Sequence, residues 1–237
     1  MNKELGQFFT INEGLQQYVM DRVEHLGSPL LEPSFGAGHL LKKFKEHDDT
    51  YPMHCFEIDS SIKPCLTFSS QQKVVYGDFM SHTFDTKFKT IIGNPPYVQQ
   101  SNGNLYLHFI KKCYELLEDD GELIFIVPSD FIKLTSASKI ISEMVTHGSF
   151  THFLFPHDEK LFDSASVDVV VFRYRKGIFT QAVQVNGEMK FCNTIDGIVT
   201  FSDTPLCGDT VSNVFNVYVG LVSGKDEVYK VPFGNTE

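Results

Sequence analysis

Five short apolar runs lie between Leu30 and Pro128, and each stops at a polar residue or a proline. Leu30-Leu31 runs into Glu32, Cys55-Phe56 into Glu57, and Val74-Val75-Tyr76 into Gly77-Asp78. Thr90-Ile91-Ile92 leads to Asn94, and Leu123 to Val127 ends at Pro128. Strands this short, separated by stretches with helical spacing, predict alternating β and α elements. The expected fold is α/β: an open, mostly parallel, doubly wound sheet with helices on both faces. In such sheets ligands bind outside the carboxyl ends of the strands. The residues at those ends are therefore the first candidates for a site.

The helical stretches fill in the pattern. Asn12 is placed to cap a helix carrying Leu15, Tyr18, Val19, Val23 and Leu26 on one face, stopped by Gly27-Ser28-Pro29. Further helices are expected from about His39, over Ser61 to Phe68, over Asn104 to Leu117, and around Ile140, Ile141, Met144 and Val145. Asp119-Asp120-Gly121 reads as a turn. Phe153-Leu154-Phe155 and Val167 to Tyr174 read as the last core strands, the run Val169-Val170-Val171 suiting a strand covered on both faces. Residues 178 to 201 alternate like strands of a small β-region. The expected division is a catalytic domain at 1–176, a β-rich extension at 177–205 and a further domain opening at 206–237.

With 237 residues, 42% of them hydrophobic, the chain can bury one sizeable core. The sequence has no apolar run of membrane-spanning length and no signal-peptide pattern at Met1-Asn2-Lys3-Glu4, so a cytoplasmic location is expected by default. Five scattered cysteines without a C-x-x-C pair suggest neither a zinc site nor a disulfide framework. The net charge of −10 is awkward for a phosphate-binding protein unless basic groups are local or lie elsewhere.

Glu32-Pro33-Ser34-Phe35-Gly36-Ala37-Gly38 reads as a strand end, a sharp turn and a helix start. Its glycines let the backbone pass close to a ligand. It fits the dinucleotide fingerprint only in part. Glu57, about 20 residues further on, is placed to accept both hydroxyls of a ribose, and Asp78 to accept from an adenine amino group. No Lys or Arg sits in these loops, which disfavours a phosphate. The set describes a pocket for an adenosine with a short polar tail.

Asn94-Pro95-Pro96-Tyr97 is the most specific signal. An exocyclic aryl amine is a weak nucleophile because its lone pair is delocalised into the ring. Two acceptors taking its hydrogen bonds, the Asn94 side-chain oxygen and the Pro95 carbonyl, push the nitrogen toward sp³ geometry. Pro95 and Pro96 have fixed φ and no competing N–H, so the carbonyl direction is pre-set. Tyr97 offers a ring on which a base can stack. Such a transfer needs no covalent enzyme nucleophile. Pro64-Cys65 lies away from the fourth strand end and reads as coincidence. His157 and Asp158 read as solvated loop residues.

In this order the residues resemble the gamma-class N6-adenine DNA methyltransferases of restriction-modification systems. Gly6-Gln7-Phe8-Phe9-Thr10 is similar to the family's N-terminal cofactor motif. Glu32-Pro33 with Gly36 and Gly38, Phe56-Glu57-Ile58-Asp59, Gly77-Asp78-Phe79, Asn94 to Tyr97 and Ile126-Val127-Pro128-Ser129 follow in the family's sequence. The resemblance covers residues 6 to about 176. It implies a Rossmann-like S-adenosylmethionine-dependent methyltransferase fold with a mostly parallel seven-stranded sheet. It implies S-adenosyl-L-methionine held by Thr10 at the methionine part, Glu57 at the ribose, Asp78 at the adenine, and Glu32, Pro33, Gly36, Gly38, Ile58, Phe79 and Asn94 around them. Asn94, Pro95, Pro96 and Tyr97 would receive an adenine flipped from double-stranded DNA. Phe162, with Phe153 and Phe155 nearby, would touch its other face. Asp130 or Phe131 would approach the cofactor or the base. A restriction endonuclease acting on the same site is the implied partner. Leu206 to Tyr229 is similar to the opening of a target-recognition domain, so a fragment or truncated product is expected, which would explain the acidic balance. The same tetrapeptide serves methyltransferases of RNA bases and of protein glutamine, although a glutamine enzyme would carry a helical domain ahead of Gly6. An inactive cofactor-binding fragment is a third reading.

Overall fold

The computed structural model describes residues 8–101, 103–156, 161–162, 167–206 and 215. Gly6, Gln7, His157, Asp158 and nearly all of the stretch expected to open a recognition domain lie outside the described residues. Met1–Pro205 forms one compact unit and Leu206–Glu237 a second.

Helix α1 (Glu13–Asp21) begins as its sequence requires: the Asn12 side chain accepts the Leu15 N–H at 2.9 Å. It ends before Val23 and Leu26, earlier than the apolar spacing predicts. The N–H groups of Glu24 and His25 instead donate to the buried carboxylate of Glu122, at 2.9 and 3.2 Å, and are lost to the helix. Strand β1 (Leu30–Glu32), a 3₁₀ turn at His39–Leu41 and α2 (Lys42–His47) follow, then β2 (Met53–Glu57) and β3 (Gln72–Tyr76). The helix expected over Ser61 to Phe68 is absent. Pro64 removes an N–H from its middle, and the Cys65 N–H donates to the Ala37 carbonyl at 2.8 Å, pinning the segment to the glycine turn.

Next come β4 (Phe88–Gly93), a small hairpin of β5 (Gln99–Gln100) and β6 (Gly103–Asn104), α3 (Leu105–Leu116), β7 (Leu117–Pro128), α4 (Ser138–His147), β8 (Gly148–Leu154) and β9 (Val169–Lys176). Asp119-Asp120-Gly121 does not interrupt β7. It is a kink inside the strand, with Asp120 at φ +61° and a register break opposite Phe88 and Thr90.

The order β3-β2-β1-β4-β7-β9-β8 is the seven-stranded core, parallel from β3 to β7, with β9 antiparallel to both neighbours. Three more strands continue it: β10 (Ala182–Val185) pairs parallel to β8, and β11 (Glu188–Ile195) and β12 (Ile198–Ser202) add a meander. The sheet therefore has ten strands instead of the expected seven, because the outer edge of β8 is a template for pairing. The meander turns on Asn186-Gly187 and Asp196-Gly197, all four residues at positive φ, as two-residue hairpins demand.

Neighbouring residues on each strand go to opposite faces. Leu31, Ile91, Leu123 and Val170 join one apolar cluster, Leu30, Ile92, Ile124 and Val171 the other. Helices α3 and α4 cover the first cluster, α1 and α2 the second. Strand order reverses at β1, which pairs with β2 on one side and β4 on the other, so a crevice opens above their carboxyl ends. Below it, Glu122 of β7 is fully buried. It is held by Thr90 at 3.1 Å and by both Arg173 Nε and Nη2, at 3.0 and 2.7 Å.

Candidate active site

The crevice contains a cavity of about 510 Å³, a size that suits a small organic ligand. Its first wall is the turn after β1. Gly36 sits at φ +56° and Gly38 at φ +86°, conformations that Cβ-bearing residues rarely adopt. A Cβ on Gly36 would lie 2.9 Å from the Phe9 ring, so this glycine is what allows Phe8-Phe9-Thr10 to lie across the turn. Glu32, 1% exposed, accepts the Ser34 N–H at a long 3.4 Å through one oxygen; the other has no hydrogen-bond partner among the described residues. Burial, together with the nearby Glu57 charge, pushes the Glu32 carboxyl well above the usual carboxylate range.

The second wall is the end of β2. Glu57 is buried, and its two oxygens accept the Gly36 and Asp59 N–H groups, each at 2.9 Å. Burial raises its carboxyl also, against the pull of those donors. Ile58 follows, 60% exposed toward the cavity. The third wall comes from β3. The Gly77 N–H donates to the Glu57 carbonyl at 2.8 Å, and Asp78 is exposed with one oxygen accepting the Met80 N–H at 2.9 Å. Phe79 is buried behind it.

Asn94 closes the ring from the tip of β4. Its Nδ2 donates to the Phe8 carbonyl at 2.7 Å and to Thr10 Oγ1 at 3.1 Å. A carbonyl only accepts, so the nitrogen must face Phe8, and Oδ1 points the other way, where it accepts the Tyr97 hydroxyl at 2.6 Å. The same hydroxyl lies 3.1 Å from the Ile126 carbonyl, and its single proton serves one acceptor at a time.

Thr10, Glu32, Pro33, Gly36, Glu57, Ile58, Asp78, Phe79, Asn94 and Pro96 thus meet around one cavity. Several sequence candidates do not line it. Gly38 turns the chain, its N–H bonded to the Phe35 carbonyl at 2.7 Å, and Pro95 is buried. Tyr97 stands beside the cavity, stacked on Phe8 with centroids 5.0 Å apart. Phe162 is 4% exposed, bridges to Thr10 as an isolated strand pair and meets Phe8 edge-on at 5.8 Å. Phe153 and Phe155 pack with Phe201 instead. Cys65 does not line the cavity, nor do Asp130 and Phe131.

Sequence reasoning missed Phe8 and Phe9 as wall residues, although they adjoin Thr10 in its motif. It also missed Leu105, His108 and Phe109 of α3, whose i, i+3, i+4 spacing puts them on one helix face toward the cavity.

Among the described residues the lining contains three carboxylates, Glu32, Glu57 and Asp78, and no Lys or Arg. It favours a ligand with cationic groups and hydroxyls over a phosphate. A buried carboxylate oxygen without a donor, a glycine turn that a side chain would fill, and an exposed isoleucine and a phenylalanine beside an acid fit the ammonium, sulfonium, ribose and adenine of S-adenosyl-L-methionine.

The type II methyltransferase M.HincII of Haemophilus influenzae is 28% identical over 196 residues, covering 73% of this chain and 38% of the relative. The chain thus spans well under half the length of that relative. Among solved structures, a Listeria monocytogenes protein assigned to the class I S-adenosylmethionine-dependent methyltransferases superposes with TM-score 0.61 at 12% identity, over 76% of this chain and 66% of that one. DrdV, solved in complex with DNA, gives TM-score 0.59 at 16% identity, over 77% of this chain and 28% of that one. These likenesses show the class I methyltransferase fold. The sequence pattern of the Eco57I restriction-modification methylases matches residues 39–162, more than half of the chain, and the chain belongs to that family.

Proposed function

We propose that this chain is the catalytic part of a DNA methyltransferase that transfers a methyl group from S-adenosyl-L-methionine to N6 of an adenine flipped out of duplex DNA, within a restriction-modification system. The observation that carries this reading is the position of Asn94, at the rim of the cavity that holds Glu57 and Asp78. When bound there, S-adenosyl-L-methionine supplies an electrophilic methyl on a sulfonium.

The chain's own residues supply orientation and electrostatics. The unpartnered Glu32 oxygen takes the ammonium, the remaining lone pairs of Glu57 the ribose hydroxyls, and Asp78 the adenine amino group, with Ile58 and Phe79 beside the ring. Asn94 Oδ1 and the Pro95 carbonyl accept from the target amine and localise its lone pair. Pro95 is buried off the cavity lining, so its carbonyl must first be uncovered to reach the amine, and two further things must change. Asn94 Oδ1 gives up the Tyr97 hydroxyl, which keeps the Ile126 carbonyl as its acceptor. Phe8 swings off Tyr97, because rings stacked at 5.0 Å admit no base between them. Phe162 then meets the base from beyond Phe8's present position.

Transfer of labelled methyl to DNA, RNA and protein in parallel, followed by nucleoside analysis, tests the proposal. N6-methyladenine in duplex DNA is the expected product. Label only in RNA or in glutamine would replace it with one of the other substrates of this tetrapeptide. Cofactor binding without transfer to any of the three would leave an inactive fragment.

A second expected result concerns protons. Glu32 has a raised folded-state carboxyl, so its desolvation favours the protonated form. The ligand-free protein gains stability from it below the unfolded carboxylate range and loses that gain as pH rises through the raised value. An ammonium ligand needs the carboxylate. Cofactor affinity should therefore increase as pH rises through that value, and binding below it should release a proton. Calorimetry in buffers of different ionisation enthalpy reads this directly, and Glu32→Gln should abolish it. A buffer-independent enthalpy in the wild type at every pH from the ordinary carboxylate range upward would refute the assignment.

A further inference from the structure

Helix α3 lines the cavity with Leu105, His108 and Phe109, and one turn beyond them on the same face is Lys112, which the cavity does not include. Its ammonium donates to the Phe79, Met80 and His82 carbonyls at 2.6, 2.9 and 2.6 Å. It also lies 4.8 Å from the Phe79 ring centroid and 5.6 Å from that of Phe84. An ammonium has three N–H groups, and here each finds a carbonyl.

The three carbonyls belong to the loop that leaves β3 and carries Asp78. That loop has little else of its own. Asp78 accepts the Met80 N–H at 2.9 Å, the Ser81 hydroxyl donates to the Asp78 carbonyl at 3.1 Å, and the His82 N–H reaches the Phe79 carbonyl at 3.2 Å. It forms no helix, so its carbonyls converge without a helical ladder to use them. Phe79 packs on Phe109 at 5.4 Å, which sets the loop against α3, and Lys112 then draws its backbone down onto the helix.

We infer that Lys112 is a positioning residue for the cofactor's adenosine: by gathering three loop carbonyls it holds Asp78 and Phe79 at the height the adenine ring requires. The inference rests on the cofactor reading of this cavity. Lys112 touches no ligand and acts only through the loop, so it governs affinity and not the transfer step.

The test is calorimetric titration of S-adenosylhomocysteine and steady-state methyl transfer with the wild type, Lys112→Met and Lys112→Gln. Lys112→Met should weaken binding about 10-fold or more, since several charge-assisted bonds to one loop are lost. It should raise KM for the cofactor in step and leave kcat at saturating cofactor unchanged. Lys112→Gln keeps two N–H donors and should recover part of the affinity. Hydrogen exchange of the Met80 and His82 amides in the ligand-free protein should quicken in Lys112→Met while amides in β1 and β4 do not. Equal affinity in the wild type and Lys112→Met, or a fall in kcat with KM unchanged, overturns the inference. A wild type that does not bind S-adenosylhomocysteine overturns the cofactor reading, and this inference with it. Should Lys112→Met fail to fold, Lys112→Gln decides: wild-type affinity and exchange in that variant overturn the inference.

Discussion

Asn94→Ala is expected to slow methyl transfer about 10²- to 10³-fold at saturating cofactor, the usual cost of deleting one preorganised group facing the reacting atom. The variant loses the side-chain oxygen that would accept from the target amine, leaving the Pro95 carbonyl alone to localise the lone pair. The cofactor site is affected as well. Asn94 Nδ2 also ties down the Phe8 carbonyl and Thr10 Oγ1, and Phe8, Phe9 and Thr10 all line the cavity. Cofactor affinity should therefore fall several-fold, with each lost neutral hydrogen bond worth on the order of 1 kcal/mol. Thr10→Val separates the two effects, because it cuts one strand of the tether and leaves the Asn94 oxygen in place. It should weaken cofactor binding and leave the single-turnover rate at saturation near the wild-type value. Tyr97→Phe supplies a further contrast: it keeps the ring and frees Asn94 Oδ1 of its present donor, so transfer should persist where Tyr97→Ala loses the stacking face. Single-turnover rates with labelled cofactor, set beside calorimetric affinities, read all four variants. Wild-type turnover in Asn94→Ala would place the chemistry elsewhere in the molecule.

The strand tips were legible in the sequence because each combines two local signals, an apolar run and the residue that ends it. Glu32, Glu57, Asp78 and Asn94 stand at successive tips, and a parallel sheet brings successive tips together whatever the details of packing. What sequence reasoning missed depends on contacts distant along the chain. The helix expected at Ser61 to Phe68 is undone by Pro64 and by a bond from Cys65 back to Ala37. The three strands after Lys176 alternate as expected, yet their attachment to β8 depends on a free edge that no local pattern announces. Phe8 and Phe9 belong to the motif of Thr10, yet only the Gly36 turn shows that their rings lie over the cavity. Lys112 is a charged residue on a helix, ordinarily a solvated one, and only the course of the loop after β3 turns carbonyls toward it. Glu122 has the same character. It directly follows Asp119-Asp120-Gly121, which reads as a turn, and the kink at Asp120 carries it into the sheet, where none of its surface is exposed.

Glu122→Ala should be strongly destabilising. One Glu122 oxygen accepts the Glu24 and His25 N–H groups and the Thr90 hydroxyl; the other receives Arg173 through two donors. Arg173 is 4% exposed, and its remaining acid partner, Glu24, is about half exposed and also paired with Arg175. Deleting Glu122 leaves a buried guanidinium with only the half-exposed Glu24 and orphans two backbone N–H groups at once. The expected cost is about 3 to 5 kcal/mol, a large share of the roughly 5 to 15 kcal/mol by which a typical domain is stable. For a chain of this size that corresponds to a fall in Tm of about 6 to 20 °C. Arg173→Met removes the stranded charge, so the double variant should recover part of the loss, and the non-additivity measures the pair. The network lies well below the cavity: Glu122 is in register with Thr90, and Asn94 is four residues, roughly 13 Å, further up β4. Below its lowered Tm the Glu122→Ala variant should therefore bind cofactor as the wild type does. Thermal unfolding with and without S-adenosylhomocysteine separates the two quantities. A Tm within about 2 °C of the wild type, under 1 kcal/mol on the same conversion, would mean that water replaces Glu122 as Arg173's partner and that the strand bottoms are held by packing alone.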